Sequence, residues 1–267
     1  VEPDHPHQTV ADYVDALAAR GRYHLTVVQL QEALGLSAPA ARNALKRLAD
    51  RNRIASPARG FYVVIPPEYR ELGCLPAEQF IPALMEREGR PYYVGLLSAA
   101  QYYGAAHHRP QEFQVFLKKN RRAIACGAVR VAFVARKRLK DVPTRSFNTP
   151  RGTVKVSTPE ATAIDLAGYP HRAGGLDQVA TVIAELGEDI DAALLVKAAE
   201  TAPVPWAQRL GYLMDLAEMG GRAESLRRFV ATHARDYAPL SPGIDKPAAQ
   251  RHKGWKLVIN TDVELEL

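Results

Sequence analysis

The sequence predicts an α+β chain: a small head of three helices and a hairpin, then a larger domain that mixes helices and strands. Three observations predict it. Apolar residues recur at helical spacing through the first fifty positions and then alternate over 54–65. A Pro66-Pro67 step interrupts the chain directly afterwards. Beyond it, helical and strand-like stretches are interspersed to the C-terminus without an internal repeat. The 267 residues fit two domains, 1–70 and 71–267, and 47% hydrophobic with 24% charged residues is the balance of a globular chain.

The head is justified element by element. Over 9–20, Val10, Tyr13, Val14, Leu17 and Ala18 fall on one helical face, and Gly21 ends the helix. Thr26 caps a second helix in a Thr26-Val27-Val28-Gln29 capping box, with Leu25 placed to staple against Leu30. Gly35 closes it. After a three-residue turn Ser37 caps a third helix, whose first turn tolerates Pro39. On a wheel of that third helix, Ala41, Leu45 and Leu48 share one face. Asn43 and Arg47 lie nearly opposite, with Lys46 beside them and Arg42 on the flank. Residues 54–65 then form a hairpin around Ser56-Pro57-Ala58-Arg59-Gly60. Helix, helix, turn, helix, hairpin is the order of a winged helix-turn-helix.

Residues 66–73 read as a linker. In the larger domain, helices are expected over 78–88, 96–104, 159–167, 176–186, 190–200, 206–218 and 223–233. Strands are expected over 113–117, 129–134, 152–156 and 255–260. Ser157-Thr158-Pro159-Glu160 predicts a capping box, with Ser157 as the cap, and Asp165 one turn on is expected on the helix surface or in a structural hydrogen bond. Gly174-Gly175 predicts a tight connection into the next helix.

Charge is unevenly placed. The chain is +6 overall. Residues 37–60 hold six Lys/Arg against Asp50, and residues 118–145 hold ten against Asp141. Those windows are +5 and +9, which leaves the rest of the chain at −8. Two basic patches on an otherwise acidic chain predict a polyanion held at two points. The major groove of a DNA duplex admits one helix, and Arg, Lys and Asn match the base edges there. The third helix therefore predicts a DNA reader through Arg42, Asn43, Lys46 and Arg47, supported by Arg51 and by a wing carrying Arg53 at its base and Arg59 at its tip. The second patch consists of Lys118, Lys119, Arg121, Arg122, Arg136, Lys137, Arg138 and Lys140, and it would hold the phosphate backbone. Both runs follow predicted strands, so they share one edge if those strands are neighbours.

Catalysis finds little support. Cys74 and Cys126 are the only cysteines, which excludes a disulfide framework and a four-thiolate zinc site and favours a reducing compartment. His107 and His108 are adjacent and point apart, and neither HExxH nor CxxC occurs. Ser98 in Gly95-Leu96-Leu97-Ser98 lacks the glycine spacing of a nucleophile elbow and is expected to cap or pack a helix. Neither GxGxxG nor GxxxxGK is present. The expectation is a chain without enzymatic activity, metal or cofactor. No apolar run is long enough to cross a bilayer, and the polar start, residues 1–8, is unlike a signal peptide, so a cytoplasmic location is expected. The rival readings are a nuclease or DNA-binding subunit of a restriction-type defence system, and a regulator with an RNA-binding patch.

A series of motifs resembles the AbiEi antitoxin family. They are Tyr93-Val94-Gly95-Leu96-Leu97-Ser98-Ala99-Ala100, Gly104 and Gln111, and Val156-Ser157-Thr158-Pro159-Glu160-Ala161-Thr162-Ala163-Ile164-Asp165-Leu166. Gly174-Gly175-Leu176-Asp177 and Gln208-Arg209-Leu210-Gly211-Tyr212-Leu213 complete the series. Their serial order spans nearly the whole chain and is more specific than any one of them. Tyr103 departs from the family, whose members often carry His before the glycine. The resemblance implies a winged-helix head and a C-terminal antitoxin domain, and a type IV toxin–antitoxin antidote associated with phage defence. It also implies repression of the chain's own operon through inverted repeats in double-stranded DNA, on a basic face spanning both domains. The implied partner is a nucleotidyltransferase toxin countered without a stable complex. The expected state is a monomer that binds DNA cooperatively.

Overall fold

The computed structural model describes residues 8–105, 111–245 and 249–265. His107 and His108 lie outside them. The chain is mixed α and β. In order it forms α1 (Val10–Ala19), β1 (His24–Thr26), α2 (Val27–Leu34), α3 (Ala38–Asp50), β2 (Ile54–Ala58), β3 (Phe61–Val64), α4 (Ala77–Arg87), β4 (Tyr92–Val94) and α5 (Leu96–Ala100). There follow β5 (Phe113–Leu117), β6 (Ile124–Cys126), β7 (Val129–Ala135), β8 (Thr144–Thr149), β9 (Gly152–Ser157), α6 (Pro159–Gly168), α7 (Leu176–Glu185) and α8 (Ala192–Ala199). The last elements are α9 (Val204–Leu216), α10 (Gly220–His233), β10 (Ala238–Pro239), β11 (Gln250–His252) and β12 (Leu257–Ile259). The sheets run β1-β3-β2, β6-β7-β5-β4-β9-β8 and β10-β12-β11.

The chain divides into two compact units. One comprises residues 1–91, 121–133 and 147–154, and the other comprises 92–120, 134–146 and 155–267.

In the first unit the helix ends follow the capping chemistry. Thr9 with Asp12 and Thr26 with Gln29 each form a reciprocal capping box, and Ser37 Oγ accepts from the Ala40 amide. Gly35 ends α2 at φ 63°, a left-handed conformation that glycine adopts without a Cβ clash. Val14, Leu25, Leu30, Ala41, Leu45, Leu48 and Ile54 close one apolar cluster between the helices and the small sheet. β1 pairs antiparallel with β3, and β3 with β2, whose register shifts between Ala55 and Ala58 around Pro57.

The stretch 66–73 is packed and is no bare linker. Pro67–Tyr69 forms a 3-10 turn, Asn52 Nδ2 donates to the Arg70 carbonyl at 2.9 Å, and the Ala128 amide donates to the Leu72 carbonyl at 2.7 Å. Arg151 comes from the turn between β8 and β9 and lies over the Tyr23 ring at 3.8 Å and the Tyr69 ring at 5.6 Å. It also hydrogen-bonds Gln79.

The second unit is organised around α6. Nine of its ten residues are buried, so this helix has no solvent face. Thr158, and not Ser157, is its N-cap, accepting from the Ala161 amide; Pro159 occupies the first helical position. Ser157 Oγ instead hydrogen-bonds Thr162 Oγ1 at 2.7 Å, and the Glu160 carboxylate accepts from the Asp191 amide at 3.0 Å. The capping box fails by one residue because Ser157 is still the last residue of β9.

Asp165 is fully buried in α6 and forms an ion pair with Arg136, itself 4% exposed. This removes Arg136 from the basic patch. Its guanidinium also donates to Thr201 Oγ1 at 2.8 Å and lies over the Trp206 ring at 5.2 Å. Tyr93 Oη donates to Asp165 Oδ2 at 2.9 Å, and burial holds that phenol above its ordinary value. At the far side of α9, Trp255 Nε1 donates to Asp215 Oδ2 at 2.6 Å, and Arg227 grips both Asp215 oxygens at 2.9 Å.

A buried charge deprived of its partner costs far more than an exposed one. Arg136→Ala and Asp165→Ala should each lower the unfolding free energy by about 3–5 kcal/mol. The double variant should lose less than the sum, because the two losses share one interaction. Urea denaturation of the full chain checks this. Additive losses, or losses of the ~1 kcal/mol size of an exposed pair, would contradict it.

Candidate nucleic-acid interface

Helix α3 holds the strongest concentration of the residues expected to read DNA. Its apolar stripe, Ala41, Ala44, Leu45 and Leu48, is buried in the head. Arg42, Asn43, Lys46 and Arg47 are all exposed on the opposite side. The division follows from the 3.6-residue period: once the Leu45 stripe is fixed inward, positions 43 and 47 can only face out. Among the described residues, no hydrogen bond or ion pair engages the Arg42, Lys46 or Arg47 side chains. They stay hydrated and available to a polyanion.

The flanking cations are used differently. Arg51 is exposed just past the end of α3. Arg53 is half-buried and forms an ion pair with Asp15 from α1, so it braces the base of the hairpin. Arg59 is exposed in the Arg59-Gly60 turn between β2 and β3, where Gly60 at φ 69° makes the reversal. The turn is held from below: Arg87 donates to the Arg59 carbonyl at 3.3 Å, and its guanidinium lies 5.9 Å from the Phe61 ring.

The second basic window separates into cations that are engaged and cations that are not. Arg121 forms two hydrogen bonds to the Glu88 carboxylate, at 2.7 and 3.3 Å, and stacks over Phe133 at 4.6 Å. Arg136 is in the core, as described. Arg138 pairs with Asp141 at 3.0 Å on the surface. Lys118, Lys119, Arg122, Lys137 and Lys140 are exposed. β5 and β7 are neighbours in the sheet, and the Arg136 amide donates to the Leu117 carbonyl at 2.8 Å. The runs Lys118-Lys119 and Lys137-Arg138 therefore leave from adjacent strand ends.

The residues weighed for catalysis have structural partners. Ser98 Oγ accepts from the Gln114 amide at 2.9 Å and donates to the Glu112 carbonyl at 3.3 Å. Gln114 in turn accepts from the Leu97 amide and donates to the Arg172 carbonyl. Gly174 and Gly175 both take positive φ and lead into α7. Among the described residues, no three His, Cys, Asp or Glu side chains are grouped so as to hold a metal ion. None of the described helices is long and apolar enough to cross a membrane.

Two arrangements escaped the sequence reading: the Tyr93–Asp165–Arg136–Thr201 network and the Arg151 clasp on Tyr23 and Tyr69. The first left a signal. Asp165 is the one ionisable residue in the body of an otherwise small and apolar segment, Ala161 to Ala167, and a helix buried all round needs a cation opposite such a residue. The second left none, since a Pro150-Arg151-Gly152 turn reads as solvated.

Residues 93–216 match the family model of the AbiEi antitoxin C-terminal domain. No curated protein matches the sequence. Among solved structures, the chain is similar to the crystal structure of RV2827C protein from Mycobacterium tuberculosis. The TM-score is 0.68 at 18% identity, covering 93% of this chain and 90% of that one, a likeness of fold. A match to the antibiotic-resistance factor ANT(2'')-Ia covers 57% of this chain and 94% of that one at 13% identity, with a TM-score of 0.28. The family match begins at Tyr93 and takes in the Asp165 network, Ser98 and Gly211. The match identifies residues 93–216 as an AbiEi antitoxin C-terminal domain.

Proposed function

We propose that this chain is the antitoxin of a type IV toxin–antitoxin system and that it represses its own operon by binding inverted repeats in the promoter. In this reading residues 1–70 are a winged helix-turn-helix, with α3 as the recognition helix and the β2–β3 hairpin as the wing, and residues 71–267 carry the antitoxin activity. The partner is a nucleotidyltransferase toxin countered without a stable complex. The chain acts in the cytoplasm in phage defence, without catalysis of its own, as a monomer that assembles cooperatively on DNA.

The observation that carries the DNA-binding part is the outward stripe of α3. Arg42, Asn43, Lys46 and Arg47 are exposed together on one helix whose opposite stripe is sealed in the core. Asn and Arg supply the donors and acceptors that pair bidentately with adenine and guanine in the major groove, and Lys adds donors to guanine. The exposed Lys118, Lys119, Arg122, Lys137 and Lys140 supply charge without sequence information, as phosphate contacts do.

The two patches predict different binding signatures. Lys46→Ala or Arg47→Ala should cost about 1–3 kcal/mol of affinity for the chain's own promoter duplex. The affinity for a scrambled duplex should change far less. Reversing charge at Lys118, Lys119 and Arg122 should weaken binding to both duplexes and flatten the dependence of log K on log salt concentration, since fewer counterions are released. Fluorescence anisotropy over a salt series reads both. Unchanged promoter affinity in all of these variants would remove α3 and the second patch from the interface.

A further inference from the structure

The only two thiols of the sequence meet in the first unit. Cys74 follows the packed 66–73 stretch and is fully buried, and Cys126 is the last residue of β6 and 8% exposed. Their backbones run in direct contact. The Ala128 amide donates to the Leu72 carbonyl at 2.7 Å, and a Cβ on Gly127 would lie 2.0 Å from that oxygen and 2.8 Å from Gly73 Cα. The turn after Cys126 must therefore be glycine for the two segments to close, and Gly127 takes φ 55°.

Residues 72 and 73 lie against 128 and 127, so Cys74 and Cys126 come next in the same antiparallel register and face each other. β2, with Ser56 at its register shift, packs against β6, which ends in Cys126. The dithiol thus lies directly behind the hairpin that carries Arg59.

We infer that Cys74 and Cys126 are a redox modification site, which a hydroperoxide converts into an intramolecular disulfide behind the β2–β3 hairpin. Residues directly opposed in an antiparallel pair lie within the Cα separation that a disulfide spans. The neighbouring Cys74 thiol and the positive charge of Arg130 hold the Cys126 thiol below its ordinary value, while Cys126 and burial push Cys74 up. Cys126 is accordingly the more acidic thiol of the pair and the one that attacks. Its sulfur displaces hydroxide from the peroxide, breaking the O–O bond and forming a sulfenic acid. The proton shed by Cys126 makes that hydroxide the first water. The Cys74 sulfur then attacks the sulfenic sulfur, breaking the S–O bond and forming S–S. The departing hydroxide takes the Cys74 proton as the second water. Two thiols and one peroxide give one disulfide and two waters.

The disulfide ties β6 to residue 74 beneath β2, so the strand that carries Ser56 and leads into the Arg59 turn rests on a crosslinked support. The consequence for operator binding rests on the DNA-binding reading above, whereas the disulfide itself does not.

The full chain, reduced and then treated with hydrogen peroxide, tests both. Intact mass should fall by two hydrogens, thiol titration should fall from two to none, and the peptide map should show Cys74 joined to Cys126, all reversed by dithiothreitol. Thiols that stay free, sulfinic acid without crosslink, or disulfide only between chains would overturn the site. These readouts use the unaltered chain, so a failure of Cys74→Ser or Cys126→Ser to fold leaves the test intact. The oxidised chain should bind its promoter duplex several-fold more weakly than the reduced chain. Equal binding by both would overturn the coupling to the hairpin. Failure of the reduced chain to bind at all would count against the DNA-binding reading and leave the disulfide to be judged on mass alone.

Discussion

Removing a guanidinium from water costs several kcal/mol unless a carboxylate or a set of carbonyls replaces the hydration it loses. This constraint sorts the arginines of the chain. Arg136 is buried and is matched by Asp165, and Arg121 and Arg227 are partly covered and are matched by Glu88 and Asp215. Arg209, buried in α9, is held by the Pro239 and Ala167 carbonyls. Arg42, Lys46 and Arg47 on α3 are among the cations without such partners, and their helix turns them outward. A basic protein does not have thirty-five equivalent positive charges. It has a set used internally to fix the fold, and another left in water where a polyanion can replace small counterions.

Within the antitoxin domain the same constraint gives the core its specificity. A helix as thoroughly buried as α6 could slide or rotate among apolar neighbours at little cost, since its small residues offer few interlocking shapes. Asp165 prevents this. Its two oxygens are claimed by Arg136 from the end of β7 and Tyr93 from β4, and Arg136 is fixed in turn by Thr201 at the end of α8. One carboxylate thus sets the position of a helix, two strands and a helix end. The polar residues that a sequence reader inspects first for catalysis are used here to register secondary structure.

How much of this could be read in advance depended on the range of the interaction. The head was legible because its determinants are local: a capping box spans four residues, the α3 stripe recurs every three or four, and the hairpin reverses over Arg59-Gly60. The strands Phe113–Leu117 and Val129–Ala135 were legible as apolar runs. β8 was not, because Thr144–Thr149 lies at the edge of its sheet and carries mostly polar, exposed residues. The three-residue strands β1, β4, β6, β11 and β12 are too short for a period to register, although 255–260 was expected as a longer one. Arg136 was misplaced because charge runs are normally solvated, and its partner lies twenty-nine positions away in sequence. The contact between Cys74 and Cys126 depends on a glycine turn meeting a loop some fifty residues earlier, which no local pattern encodes.

The central claim is that the outward stripe of α3 enters the groove of the chain's own promoter. The most direct measurement replaces Asn43 with the photo-crosslinking residue p-benzoylphenylalanine and irradiates the protein on that duplex. The account predicts a covalent adduct within an inverted repeat, abolished by excess unlabelled promoter DNA and retained in excess unrelated DNA. A chain that binds the duplex normally yet gives no adduct from position 43, while a crosslinker elsewhere on the head does, would contradict it.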